Sequence, residues 1–379
     1  MSDLILEAAA RAKEAGPGAI NATIGVLYDE NGESLIFPSV QQAMRRIDPE
    51  NNEQDNSILG IASYRQAVER LLGNHPRIAS IATSGGEDAL SINLRLISEL
   101  QPHATIAVPT PMWIKHADLS HAAGLTVVHV PYLKNGAASV EGLTQAIRSG
   151  IKHVLVQATG NNPTGFDYTQ DQWMELADVM QKYGATAIVD FAYQGFTDEP
   201  EQDAFCIKTL AGHKVPILVA WSASKNHAMP KSEAIPYERI GLAAAMVQYQ
   251  NQFHAFKRKY QNAALRRAAP PSAYGQRVVA LVQQELRNEW TSDLREIRTQ
   301  IDETRELLTH FLPEELARAF RGGRGLFALP DFKPEDVDQL RIRHNIHLPA
   351  DGRVNIGGIP LQCAPKVASA MSDIKEKMT

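Results

Sequence analysis

The sequence predicts an α/β fold: a mostly parallel seven-stranded sheet sandwiched by helices, with a smaller α+β domain beside it. Three observations carry this expectation. From residue 78 onward, short apolar runs alternate with helical patterns, the signature of strand–helix–strand units. Several of the runs, such as 217–221, are continuously apolar rather than alternating, as strands covered on both faces must be. Finally, 379 residues exceed what one ordinary core organises, so a second, smaller domain is expected.

The elements follow in order. Residues 3–15 carry Leu4, Ile5, Ala8, Ala9 and Ala12 at helical spacing, and Gly16-Pro17-Gly18 ends the pattern. Stretches 38–48 and 61–72 read as helices separated by the polar linker 51–57. Seven strands are then expected at 78–83, 105–108, 125–130, 153–157, 186–190, 217–221 and 242–247, with helices at 87–100, 113–123, 140–149 and 170–183. Beyond 247 the pattern is helical at 249–264, 272–288 and 291–311. A mixed segment and a last helix follow. The expected division is a large α/β domain over 38–265 and a small α+β domain made of 1–37 and 266–379.

Composition narrows the function. A hydrophobic content of 44% and a charged content of 21% are ordinary for a globular protein, and a net charge of −5 leaves no basic footprint for nucleic acid. Two cysteines, Cys206 and Cys363, make no disulfide framework, and no four-ligand zinc spacing occurs. No window approaches 18 uncharged apolar residues, and the first residues lack a cationic start followed by an apolar core. The expectation is a cytoplasmic protein that does not engage a membrane.

Chemistry gathers at strand ends, where open α/β sheets bind ligands. Lys225 follows the sixth apolar run and stands between small hydroxyl residues, in Ser222-Ala-Ser224-Lys225-Asn226. A partly desolvated lysine there loses pKa and gains a free amine for Schiff-base chemistry. Gly85-Gly86 opens a helix, so its backbone N–H groups can hold a phosphate. Asn162 follows the fourth strand, Asp190 ends the fifth, and Tyr193 lies three residues on. An aspartate at a buried strand end needs a cationic partner. Together these residue types suit pyridoxal phosphate. Asp190 would keep a proton on the ring nitrogen and deepen the electron sink. Tyr193 and Asn162 would hold the ring's 3-oxygen, and Trp113 would stack on its face. Ser222, Ser224 and Arg239 would bind the phosphate.

The chain also carries Ile24-Gly25-Val26, Leu59-Gly60-Ile61, Thr83-Ser-Gly-Gly86, Trp113 with His116, Asn162-Pro-Thr-Gly165, Asp190-Phe-Ala-Tyr-Gln-Gly-Phe196, Glu238-Arg-Ile-Gly241 and Arg353-Val-Asn355. On these motifs it resembles the class I aminotransferases of the pyridoxal phosphate fold-type-I group, nearest the aspartate and aromatic amino acid branch. The resemblance implies a homodimer with shared active sites that moves an amino group between an L-amino acid and a 2-oxo acid. It implies that Lys225 carries the cofactor as a Schiff base and moves the proton between substrate Cα and cofactor C4′. Asp190 would pair with the ring nitrogen, backed by His116. Arg353, with Asn162 and the Gly25 backbone, would hold the substrate carboxylate. The cofactor motifs are shared with enzymes that eliminate or racemise, so that reading stays open here. A regulatory protein keeping the fold is the reading from a different class; the short segment before residue 21 and the missing basic patch speak against it.

Four departures from the family pattern stand out. Glu87 occupies a place among the phosphate-binding residues where a small hydroxyl is usual, and an anion beside an anion repels. Ile58 stands where a tyrosine precedes the Leu-Gly pair. The spacing from Lys225 to Arg239 is 239 − 225 = 14, against about eight implied by the resemblance, and the extra stretch 227–237 is expected to form a loop near the phosphate or the pocket mouth. Last, dicarboxylate enzymes of this branch place an arginine about six residues before a Pro-Pro pair. Counting back from Pro270-Pro271 reaches Ala264, with Arg266 and Arg267 out of register. The side-chain pocket is therefore not expected to be a standard aspartate site.

Overall fold

A computed structural model describes residues 4–376 except 17, 26, 29–34, 48–56, 230–238 and 268. The linker expected at 51–57 therefore lies almost wholly outside the described residues, as do Val26 and most of the loop expected before Arg239. The chain divides into two compact units: Ile36–Thr159 with Tyr168–Leu294, and Met1–Leu35 with Gly160–Asp167 and Arg295–Thr379.

The first unit is the α/β one. Its sheet has seven strands: β1 (Ile78–Thr83), β2 (Thr105–Thr110), β3 (Thr126–Pro131), β4 (His153–Gln157), β5 (Thr186–Phe191), β6 (Ile217–Ser222) and β7 (Gly241–Met246), in the order β1-β7-β6-β5-β4-β2-β3. Five of them run parallel in the series β6-β5-β4-β2-β3, and β7 lies antiparallel between β6 and β1. β6 and β7 are buried at every position, which their unbroken apolar sequences require. Helix α1 (Gly86–Leu100) lays Leu90, Leu94 and Ile97 on this sheet and joins Ile81, Leu155, Ile188 and Leu218 in one core.

Two stretches fall elsewhere than the expected division. Residues 266–294 belong to the α/β unit, because helix Ala273–Glu285 packs Val278, Val279 and Val282 against the helices Pro38–Arg46 and Ala62–Leu71. Residues 160–167 belong to the second unit. There Asp167 accepts hydrogen bonds from Gly160 N (2.8 Å) and Asn161 N (2.9 Å), closing a loop on itself. Two short helices, Pro200–Asp203 and Phe205–Gly212, also fill a stretch between β5 and β6 that periodicity leaves blank. Asp203, itself buried, closes the first of them and gathers the loop before it through Gly195 N (2.6 Å), Thr197 Oγ1 (2.6 Å) and Asp198 N (3.0 Å).

In the second unit, Ile20–Asn21 pairs in parallel with Ile346–His347, and Phe327–Ala328 pairs antiparallel with Val354–Asn355. Helices Pro334–His344 and Ala364–Glu376 pack on each other and bury Leu340, Val367 and Met371.

Where β1, β6 and β7 end together, backbone approaches backbone. A Cβ at Gly241 would lie 2.5 Å from Gly85 C and 2.7 Å from Trp221 O. Neither neighbour is a side chain that can swing away. Gly241→Ala is expected to destabilise the protein by about 1–3 kcal/mol, since the added methyl can be accommodated only by moving main chain; urea denaturation measures it.

Candidate active site

The strand register sets the first part of the site. Gln157 pairs with Asp190 and Asp190 with Ala220, so three parallel strands bring their carboxyl ends level. Asp190 is buried there. His116, in the first turn of α2 (Lys115–Ala122), is fully buried and places Nε2 2.7 Å from Asp190 Oδ2. A carboxylate only accepts, so His116 Nε2 carries the proton and donates. Its Nδ1 is buried with no hydrogen-bond partner among the described residues. Trp113 meets the His116 ring edge-on, with centroids 5.3 Å apart and planes at 88°. One carboxylate oxygen is thus held by histidine, which orients the group for a second donor. A protonated heterocyclic nitrogen is such a donor.

Around the Gly85-Gly86 turn the chain forms a cradle bare of side chains. Gly85 caps α1 with φ of +96°, a conformation that glycine alone adopts without strain. A Cβ on Gly86 would lie 3.0 Å from Ser222 Cβ. One on Gly85 would lie 3.7 Å from Arg239 Cβ and 4.0 Å from Ser224 Oγ. The two serines, the arginine and the glycine turn therefore meet as expected. Thr83 Oγ1 donates to Gly85 O (2.9 Å), and Asp88 Oδ2 accepts from Ser84 N (2.9 Å), fixing the turn. Ser222 Oγ accepts from Ser224 N at 3.2 Å and starts the four-residue helix α4 (Ala223–Asn226), which carries the partly buried Lys225; helix α3 (Gln170–Tyr183) precedes it on the chain. The helix-start N–H groups of Gly86 and Glu87 have no partner within α1, and the helix dipole favours an anion there. Glu87 itself is partly buried in that first turn.

Tyr193 is buried just past β5. Its neighbour Gln194 ties that turn to the strand leading to Lys225. Gln194 Oε1 accepts from Trp221 Nε1 (2.9 Å), while Nε2 donates to Leu71 O (2.9 Å) and Pro200 O (2.8 Å). Sequence reasoning passed over Gln194; a glutamine inside an otherwise apolar, aromatic run was the available signal.

The second unit holds Arg353, Asn162 and Gly25. Arg353 is buried, donates Nη1 to Asn162 Oδ1, and lies 5.4 Å from the Phe327 ring centroid. A Cβ on Gly25 would fall 2.7 Å from Phe327 Cζ. Asn355 Nδ2 donates to Ile24 O at 2.7 Å, which secures the Gly25 segment. Phe327 is the residue that organises this corner, and it was not among the expected ones.

The departures are also placed. Ile58 is 47% exposed. Residues 230–238 lie outside the described residues. Ala264 packs against the core of the α/β unit. Arg266 donates to Glu99 Oε1 at 2.8 Å on the surface, and Arg267 has Nε and Nη2 buried without a hydrogen-bond partner among the described residues. Burial lowers the Arg267 pKa and the nearby Asp88 opposes that shift.

These features gather a histidine-held carboxylate, a glycine-serine-arginine turn and a partly buried lysine at one sheet in the α/β unit. The family model for aminotransferase class I and II matches residues 18–369. The chain is 29% identical over 374 residues to an aromatic-amino-acid aminotransferase of Pseudomonas aeruginosa, covering 93% of this chain and 91% of that one. It is 27% identical to a mitochondrial aspartate aminotransferase of Dictyostelium discoideum, with 96% and 88% covered. Among solved structures, an aromatic-amino-acid aminotransferase from Burkholderia pseudomallei covalently bound to pyridoxal phosphate superposes with a TM-score of 0.89 at 26% identity, covering 99% of this chain and 97% of that one. The cytoplasmic aspartate aminotransferase of Saccharomyces cerevisiae shares the fold at a TM-score of 0.91 and 23% identity, covering 100% of this chain and 97% of that one. The chain belongs to the class I and II aminotransferases, pyridoxal phosphate-dependent transaminases of fold type I.

Gln194→Leu keeps the volume but leaves two carbonyls and one indole N–H buried without a partner. It is expected to cost at least about 2 kcal/mol of stability, read by urea denaturation of the cofactor-free protein.

Proposed function

We propose that the residues gathered at this sheet edge hold pyridoxal 5'-phosphate and that the enzyme transfers amino groups from donors other than aspartate at least as well as from aspartate. The observation that carries the reading is the pairing of the His116-held Asp190 with the Gly85-Gly86, Ser222, Ser224 and Arg239 cradle in one unit.

When bound, the cofactor supplies an electron sink for the substrate Cα. Asp190 would keep the proton on the ring nitrogen, and His116 orients Asp190 through its hydrogen bond. Tyr193 would donate to the ring oxygen, and Trp113 would cover the ring face. Ser222, Ser224, Arg239 and the N–H groups of Gly86 and Glu87 hold the phosphate. Glu87 would serve through its backbone N–H. Lys225 would hold the cofactor through its amine, and that amine would serve as the base that moves the proton at substrate Cα. Arg353, fixed by Asn162, would grip the substrate carboxylate with its planar fork, with the Gly25 backbone as a further contact.

The donor reading rests on the specificity side. Ala264 stands in the register where an arginine is expected, and Arg266 is engaged by Glu99. The similarity to aromatic-amino-acid aminotransferases points the same way. We also read the chain as a homodimer in a reducing, cytoplasmic compartment. Free Cys206 and Cys363, and apolar side chains as exposed as Leu265 (70%) and Ile58 (47%), support that reading. Light scattering on the purified protein should return twice the chain mass.

Lys225→Ala is expected to lose transamination by about 10²–10⁴-fold or more and to lose the visible absorbance of the covalently held cofactor. Wild-type turnover by that variant would overturn the assignment. Across a panel of amino donors, kcat/KM for an aromatic or aliphatic donor should equal or exceed that for aspartate; a clear preference for aspartate would overturn the donor reading.

A further inference from the structure

Lys225 sits in a helix of only four residues, Ala223–Asn226. So short a helix makes one or two internal hydrogen bonds and cannot hold its own geometry. Ser222 caps one end. The other end runs into a buried polar chain that the reaction as described does not use.

His227 is fully buried, stacked on Trp290 (centroids 4.9 Å, planes at 27°) and edge-on to Trp221 (5.8 Å, 76°). Its backbone N donates to Ala223 O at 3.1 Å. Both ring nitrogens are engaged. Nδ1 lies 2.9 Å from Asn226 Oδ1, and Nε2 lies 3.1 Å from Gln283 Nε2. Gln283 Oε1 accepts from Arg287 Nη1 at 2.8 Å, and Arg287 in turn pairs with Glu201. Trp290 Nε1 donates to Asn226 O at 2.6 Å, and Ala228 N to Lys225 O at 2.9 Å.

These contacts leave one assignment. Arg287 can only donate, so Gln283 must present its oxygen to Arg287 and its amide N–H to His227. His227 Nε2 is therefore the bare acceptor. Asn226 Oδ1 only accepts, so Nδ1 carries the proton. A second ring proton would set donor against donor at Gln283, close to the Arg287 cation.

We propose that His227, locked as the neutral Nδ1–H tautomer by Gln283 and Asn226, is a positioning residue that fixes the backbone at Lys225 and so aims its amine. The proposal rests on the reading of Lys225 given above. Burial and the Arg287 charge agree with it, holding the His227 pKa down at about 3. The sequence shows the residues, Lys225-Asn226-His227, but Gln283, Arg287 and Trp290 reach them from a distant stretch of chain.

The tests use the holoenzyme. Histidine labelled with ¹⁵N should show His227 as the Nδ1–H tautomer, unchanged from about pH 5 to 8. A His227 that titrates in that range, or that shows the Nε2–H tautomer, overturns the lock. His227→Phe keeps the stacking and loses both hydrogen bonds; Gln283→Leu keeps the histidine and loses the lock. Each should move the pH midpoint of the cofactor's visible absorbance by at least about half a unit. Each should lower kcat about 10- to 100-fold while KM for the amino donor changes much less. Wild-type midpoint and kcat in both variants would overturn the positioning role, whatever their melting temperatures. Lys225→Ala separates the two readings. If it keeps the wild-type absorbance, the Lys225 assignment fails and this one with it. If it loses that absorbance while His227→Phe behaves as wild type, only the positioning role fails.

Discussion

A carboxylate inside a sheet cannot stand alone, and much of the α/β unit answers to that constraint at Asp190. Removing an ionised carboxylate from water is costly unless a donor meets it. His116 meets one oxygen, and its own ring is fixed by burial and by the Trp113 edge. The strand register then matters, because it brings the ends of β4, β5 and β6 level and delivers Asp190, Tyr193 and Lys225 to the same edge of the sheet. The phosphate cradle obeys a complementary rule. It consists of glycine, small hydroxyls and helix-start amides, since an anion needs donors and room rather than bulk.

Polar atoms inside this unit do positioning work that apolar packing cannot. Gln194 ties the Tyr193 turn to β6, Asp203 gathers the loop after it, and His227 locks the end of the Lys225 helix. Each satisfies its neighbours nearly completely, and a satisfied buried network specifies one geometry where an oily contact permits several. In the second unit the same logic appears at Arg353, whose fork is set by Asn162 and whose face is set by Phe327.

Much of the fold was legible because strands buried on both faces must be continuously apolar. All seven were found within a residue or two of their ends. Candidates for the proposed site stood out where chemistry constrains residue type at a strand end: Asp190, Lys225, and the Gly85-Gly86 turn. What stayed hidden was polar and contacted from afar. Helices Pro200–Asp203 and Phe205–Gly212 are short, and the polar loop before them is held by Asp203 rather than by an apolar pattern. Helix Ala273–Glu285 reads as an ordinary amphipathic helix, and nothing local says which unit its valines will pack into.

The sequence by itself determined the order of the seven strands and which residues are candidates for the site, since both follow from periodicity and residue chemistry along the chain. Only the tertiary structure decided which partners those groups meet. His116 and Asp190 are 74 residues apart, Gln283 and His227 are 56 apart, and Arg353 and Asn162 are 191 apart. Such pairs arise from the packing of elements against one another, and that information resides in the shape of the whole unit rather than in any stretch of it.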